Sequence, residues 1–237
     1  MTILSGKTIL ITGASRGIGA AIDKHCVSMG AKVIPHANLP SENVDARFLY
    51  EDLSLPGAGG RLFKNASIQG PIDAVVNNAG VYLPTSLEGE DWDDGWSRTM
   101  AVNVQAPADI CRAAFQHYRK SGGGRIVNIA SRAGHRGDGV NHAAYAASKA
   151  AILAMTKTWA RGLSGENIYI YAISPGWVET RMAPQDIESR KKAMADIPLG
   201  RFAQPDEVAK LTAFLLSDAC PSAVGATFDV NGASYVR

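Results

Sequence analysis

Short apolar runs rich in β-branched residues recur along the chain, and stretches of helical periodicity separate them. The runs fall at 8–12 (T-I-L-I-T, ending on Gly13), 32–34, 47–50, 72–76, 125–129, 168–173 and 227–230. Most are apolar throughout rather than alternating, which predicts strands of a parallel sheet covered on both faces. Between them, residues 17–29 read as a helix stopped at Gly30. Trp92, Trp96 and Met100 recur at four-residue spacing, and the Ala-rich stretch 143–161 carries Ile152, Leu153 and Met155. Pro205-Asp206-Glu207 opens a further helix, with proline early and acids in its first turn. The Gly-rich stretch 56–60 is read as a shortened third helix. Strands alternating with helices predict an α/β, doubly wound parallel sheet with helices on both faces. Without internal repeats or a linker, the expectation is one domain over residues 1–237.

Composition narrows the function classes. A chain of 237 residues that is 46% hydrophobic and 19% charged can bury a sizeable core. With 24 Lys and Arg against 22 Asp and Glu, it lacks the charge excess of a nucleic-acid or membrane-surface binder. Cys26, Cys111 and Cys220 are too few and too scattered for a disulfide framework or a zinc site, so a reducing compartment and no metal are expected. No apolar run approaches the roughly 18 residues that a membrane span needs. Lys7 interrupts the opening residues, unlike a secretory leader. A cytoplasmic protein is expected.

The chemistry begins where the first strand runs into T-G-A-S-R-G-I-G, residues 12–19. Gly13, Gly17 and Gly19 allow a tight turn in which backbone N–H groups and a helix N-terminus approach a pyrophosphate, with Ser15 and Ile18 inside the turn. An ordinary glycine-rich turn is the competing reading, and the strand–turn–helix context favours the dinucleotide. The second strand ends Pro35-His36-Ala37-Asn38 without the acid that holds a ribose 2′-hydroxyl in most such folds. Nothing there would repel a 2′-phosphate. Arg16 can reach the same pocket, and His36 and Asn38 can add hydrogen bonds; a solvated surface arginine remains the alternative for Arg16 taken alone. NADP(H) is favoured over NAD(H). Tyr145 and Lys149 stand four apart on a predicted helix, one turn apart on one face. An ammonium there favours the ionised form of a phenol whose ordinary pKa is near 10.

These motifs, with Asn77-Asn78-Ala79-Gly80, Asn103 in M-A-V-N-V and Ser131 beyond the fifth strand, occur in an order that strongly resembles the short-chain dehydrogenase/reductase family. The resemblance covers essentially the whole chain and is strongest to the bacterial 3-oxoacyl-[acyl-carrier-protein] reductase type. It implies a Rossmann fold and hydride transfer between NADP(H) and a carbonyl or secondary alcohol, with a 3-oxoacyl thioester as a candidate substrate. It implies that Tyr145 is the general acid and base and that Lys149 lowers its pKa and binds the nicotinamide ribose. Ser131 would hold the substrate oxygen and Asn103 a relay water. Asp52 and Leu53 would contact adenine, Asn78, Ala79 and Gly80 the adenosine ribose. Pro175, Gly176, Val178 and Thr180 would hold the nicotinamide amide and phosphates. For Asp52 a loop acid capping the next helix is the competing reading, and for Asn78 a purely architectural turn. The family also implies a homotetramer built on the helices of 92–117 and 143–161, and a small-molecule substrate. Two departures stand out: Ser131 precedes Tyr145 by fourteen positions, one more than in many relatives, and Asn231 stands where an aspartate is usual. The substrate pocket is expected around 81–84, 132–142, Trp177 and 181–200. Arg132, His135, Arg136 and His142 read as a solvated basic loop. Trp177, Met182 and Leu199 read either as a lid or as core. The rival enzyme is an NAD-linked sugar, polyol or cyclic alcohol dehydrogenase. A rival of another class is a non-catalytic NADP(H)-binding sensor.

Overall fold

The computed structural model describes residues 2–40 and 46–237. The chain order is β1 (Thr8–Ile11), α1 (Gly17–Ser28), β2 (Lys32–Ala37), β3 (Leu49–Tyr50), α2 (Ala58–Ser67), β4 (Ala74–Asn77), α3 (Trp92–Met100), α4 (Ala106–Ser121), β5 (Gly124–Ile129), α5 (Ala133–Arg136), α6 (Ala143–Leu163), β6 (Ile168–Pro175), α7 (Ile187–Ala195), α8 (Pro205–Leu216) and β7 (Thr227–Val230). The seven strands form one sheet in the order β3-β2-β1-β4-β5-β6-β7, and each neighbouring pair is parallel. The apolar strands are apolar because both faces are covered. In β1, Ile9 and Ile11 pack with Ile22 and Cys26 of α1 and Val208 and Ala209 of α8. Leu10 points the other way, toward Leu62 and Phe63 of α2 and Ile110 and Cys111 of α4.

Three expectations change in detail. β2 runs on through Pro35 and His36 to Ala37. The Gly-rich stretch opens a ten-residue helix, α2, rather than a shortened one. Its glycine serves packing: a side chain at Gly59 would strike the Ala106 carbonyl of α4. Between α3 and α4 the chain passes through one π-helical turn, Ala101–Gln105, which carries Asn103. Among the described residues no helix is long and apolar enough to cross a membrane.

A buried polar ladder crosses the sheet and reaches α6. Asn77 of β4 donates from Nδ2 to Asn128 Oδ1 of β5 at 2.9 Å, and Asn128 donates from Nδ2 to Thr156 Oγ1 of α6 at 2.9 Å. Thr156 in turn donates to the Ile152 carbonyl at 2.8 Å. The ladder pins the middle of α6 against β5, and so the height of the Tyr145–Lys149 turn. An amide stripped of its partner in a dry interior costs about 1–3 kcal/mol, so Asn128→Ala should destabilise the fold by at least that much. Urea denaturation reads it, and a variant as stable as the wild type would show that the ladder is incidental.

Candidate active site

The chain leaves β1 toward β2 on one side and returns to β4 on the other, so a crevice opens at their carboxyl ends. Thr12 and Asn78 brace it. Thr12 Oγ1 accepts the N–H groups of Asn78 and Ala79, each at 2.9 Å, and donates to the Val76 carbonyl at 3.3 Å. Asn78 Nδ2 donates back to the carbonyls of Thr12 at 2.8 Å and Gly13 at 3.1 Å. The architectural reading of Asn78 therefore holds, although the residue also lines the cavity. Gly13 has φ +64°, and a Cβ there would lie 2.9 Å from Ala79 Cα, so the turn admits only glycine at that position. A side chain at Gly19 would overlap the Gly13 carbonyl.

His36 is placed differently from its expected role as a phosphate contact. It is buried, and both ring nitrogens are engaged: the Gly13 N–H donates to Nδ1 at 3.2 Å, and Nε2 lies 2.9 Å from the Glu51 carbonyl. With Nδ1 accepting, Nε2 carries the proton, and burial holds the ring's pKa below the ordinary histidine value. His36 thus supports the glycine turn from beneath. Asp52 lines the cavity while its Oδ1 accepts from the Ser54 N–H at 2.9 Å and hydroxyl at 2.7 Å, bonds that hold its carboxyl below the usual range.

One cavity of about 890 Å³ takes in every predicted site residue except Gly19 and Asn103. Gly19 lies under the turn. Asn103 is buried beside the cavity, accepting the Val81 N–H at 2.8 Å and donating to the Val81 carbonyl at 3.0 Å and Ser148 Oγ at 3.1 Å. Ser15, Arg16, Gly17 and Ile18 sit at one end, where the first turn of α1 has no side-chain cap for its N–H groups. Ser131, Tyr145 and Lys149 line the cavity farther in. The Ser131 hydroxyl accepts the Ala133 N–H at 3.1 Å and is near enough to the Tyr145 phenol to favour its ionised form. Lys149 Nζ donates to the Ile129 carbonyl at 2.9 Å and lies 5.7 Å from the Tyr145 ring centre.

The electrostatics differ from the expected depressed phenol. Burial pushes Tyr145 up to about 12, and the neighbouring Ser131 hydroxyl offsets only part of that. Burial also pulls Lys149 down to about 8. The ammonium stands over the ring's face rather than against its hydroxyl. Residues 136–141 of the loop are exposed as expected, Arg136 among them, but three of its four basic side chains are docked: Arg132 is buried, His142 stacks on Tyr82 at 4.0 Å, and His135 stacks on Tyr235 at 5.6 Å. Tyr82, Arg132, Trp177 and Met182 line the same cavity, whereas Leu199 lies outside it. Tyr82 carried no distinctive sequence signal beyond its place after the Asn-Asn-Ala-Gly turn.

A dinucleotide fits these residues. The glycine turn is a cradle that side chains at Gly13 or Gly19 would fill, the N–H groups of the α1 first turn suit a pyrophosphate, and the cavity extends from there to Tyr145. Val178 adds a backbone pair. Trp177 and Glu179 bond Ala203, so the N–H and carbonyl of Val178 face the opposite side.

The family model described as enoyl-(acyl carrier protein) reductase matches residues 13–233. The chain is 36% identical to the 3-oxoacyl-[acyl-carrier-protein] reductase of Thermotoga maritima, over 97% of this chain and 98% of that protein. Among solved structures it resembles a 3-oxoacyl (acyl-carrier-protein) reductase of Agrobacterium tumefaciens with NADP bound, at TM-score 0.88 and 31% identity over 97% of this chain and 94% of that one. A chain of Beutenbergia cavernae described as an NAD(P)-dependent gluconate 5-dehydrogenase, also with NADP, superposes at TM-score 0.89 with 30% identity over 98% of both.

Lys149 yields a test with a definite sign. Its folded pKa lies near 8 and its ordinary value is 10.5. Below about pH 8 both states are protonated and the fold bears the full cost of the buried ammonium; between those values the folded state loses its proton first and the cost disappears. Lys149→Met should therefore raise stability at pH 7 by up to about 3 kcal/mol, less whatever the Ile129 carbonyl loses as an acceptor. The gain should shrink as the pH approaches 10.5. Thermal denaturation at the two pH values checks it; a gain independent of pH would contradict the assignment.

Proposed function

Because the chain belongs to the short-chain dehydrogenase/reductase family and is an NAD(P)-dependent oxidoreductase, we propose that its cavity binds NADP(H) and that Tyr145 exchanges a proton with a carbonyl or alcohol oxygen. The observation that carries this reading is the convergence of Ser131, Tyr145 and Lys149 at the inner end of a glycine-turn cavity. The bound dinucleotide supplies a hydride to a carbonyl carbon or takes one from an alcohol carbon. Ser131 orients the substrate oxygen through its hydroxyl. Tyr145 gives that oxygen its proton, so the carbonyl gains one hydride at carbon and one proton at oxygen. A phenol held up near 12 is protonated at neutral pH and suits reduction. Lys149, one turn away, replaces the proton's charge on the tyrosine side and holds the ribose. Asn103 fixes the Val81 backbone through two hydrogen bonds and stands behind Gly80 and Lys149, where it can hold a relay water.

Cofactor choice rests on the far end. The acid-free turn at His36–Asn38 leaves room for a 2′-phosphate, and Arg16, exposed at the mouth of the turn, is its counter-charge with Asn38 as a hydrogen-bond partner. Leu53, Ala79 and Gly80 would flank the adenosine, and Pro175, Gly176, Val178 and Thr180 the nicotinamide. The whole chain acts as one unit. It assembles as a homotetramer through α4 and α6, where Phe115 and Trp159 pair edge-on and stay partly exposed. Two substrate classes follow from the relatives' names, 3-oxoacyl thioesters and sugar acids.

Two measurements test the reading. Cofactor fluorescence should give tighter binding of NADPH than NADH, and Arg16→Ala should weaken NADPH selectively; equal or tighter NADH binding would end the NADP(H) assignment. On a panel of 3-oxoacyl thioesters, diketones, sugars and cyclic alcohols, Tyr145→Phe should lower turnover by at least about 10²-fold while NADPH still binds. Wild-type turnover in that variant would remove Tyr145 from the chemistry.

A further inference from the structure

The residue after Ser131 is an arginine, and the fold buries it: Arg132 is 9% exposed and lines the cavity. A guanidinium carries five N–H donors in a planar fork. Among the described residues, that fork finds Asp196 Oδ2 at 3.3 Å as its side-chain acceptor, and the same oxygen accepts Arg136 more closely, at 2.8 Å. The other acid within range, Asp138, is exposed, lines the same cavity and accepts the Gly139 N–H through Oδ1 at 2.8 Å. Burial and the neighbouring Arg136 outweigh both acids and hold the guanidinium's pKa below its ordinary value. Its charge is under-compensated. Among the described residues, no Arg132 nitrogen is both sealed and unpartnered, and the side chain is part of the cavity lining.

The wall beside it is rigid. Tyr82 stacks on His142 at 4.0 Å and meets the Tyr145 ring edge-on at 4.7 Å and Trp177 at 6.3 Å. The Thr85 N–H donates to the Asn141 carbonyl at 2.6 Å and ties the two loops together. A fixed aromatic wall next to a charged fork recognises a compact ion better than a long flexible acyl chain.

We propose that Arg132 is the specificity-determining residue of this site, and that the substrate is a short oxo acid or hydroxy acid whose carboxylate pairs with its guanidinium while its oxygen meets Tyr145. This rests on the oxidoreductase reading above. Arg–carboxylate pairing is bidentate and charge-assisted, so it selects shape as well as charge.

The test is a series of short oxo acids, each paired with its methyl ester, assayed for NADPH oxidation. The wild type should prefer acid over ester by at least about tenfold in kcat/KM, the scale of a charge-assisted hydrogen bond. Arg132→Gln should collapse that ratio toward one, and Arg132→Lys should restore part of it. NADPH fluorescence titration verifies that each variant is folded. Should the variants fail to fold, the wild type still decides: simple carboxylates should inhibit competitively against the oxo substrate, and the matching amides should not. Equal use of acid and ester, or a ratio unchanged in Arg132→Gln, overturns the inference and leaves the oxidoreductase reading standing. Normal NADPH binding with no turnover of any acid or ester, nor of any thioester, diketone, sugar or cyclic alcohol of the wider panel, overturns that reading, and this inference with it.

Discussion

A single buried hydroxyl holds the fork at the carboxyl ends of β1 and β4. Thr12 accepts two backbone N–H groups from the segment after β4 and donates to the Val76 carbonyl of that strand, while Asn78 returns two bonds to the segment after β1. Parallel neighbours that diverge into separate loops expose unpaired backbone groups, and these bonds satisfy them without closing the crevice. The glycine turn is shaped by the same brace. Gly13 packs against Ala79 because Asn78 draws the two loops together, and His36 supports the Gly13 N–H from the β2 side. The cavity is the space this arrangement leaves.

Charge is then placed in that space at a cost to stability. Lys149 keeps its ammonium in a buried position with one carbonyl partner, and Arg132 keeps a guanidinium with one shared carboxylate oxygen. Neither pairing matches the hydration that each cation gives up. A fold selected for stability alone would put apolar side chains at both positions. Their presence with Tyr145 in the lining of one cavity fits the proposed site, in which a cofactor ribose and a substrate anion complete the pairing.

Much of this was legible in the chain. The runs at 8–12 and 125–129 became β1 and β5 because short, mostly apolar, β-branched runs suit strands covered on both faces, and 227–230, with alternating T-F-D-V, became the edge strand β7. Family-type motifs marked the glycine turn, Ser131, Tyr145 and Lys149, and all but Gly19 and Asn103 of the predicted residues line one cavity. The parts that escaped depend on distant partners. β2 looked too short because Pro35 interrupts it, yet β3 pairs only at His36 and Ala37, so no neighbour on that side needs an N–H from Pro35. His36 read as a phosphate contact, and its actual partner, Gly13, lies 23 residues away. Arg132 read as a solvated loop residue because its partner Asp196 lies 64 residues further on, after a helix too polar to be noticed. Pattern reports periodicity and local turns; it does not report which buried ion finds which acid.

The central claim is that hydride chemistry occurs at the Tyr145 end of this cavity. Reduction of an accepted carbonyl compound with NADPH carrying deuterium on one face of nicotinamide C4, followed by mass spectrometry of the product, tests it most directly. One of the two deuterated cofactors should deliver a single deuterium to the carbinol carbon and the other none. Product alcohol free of deuterium with both cofactors would contradict the account.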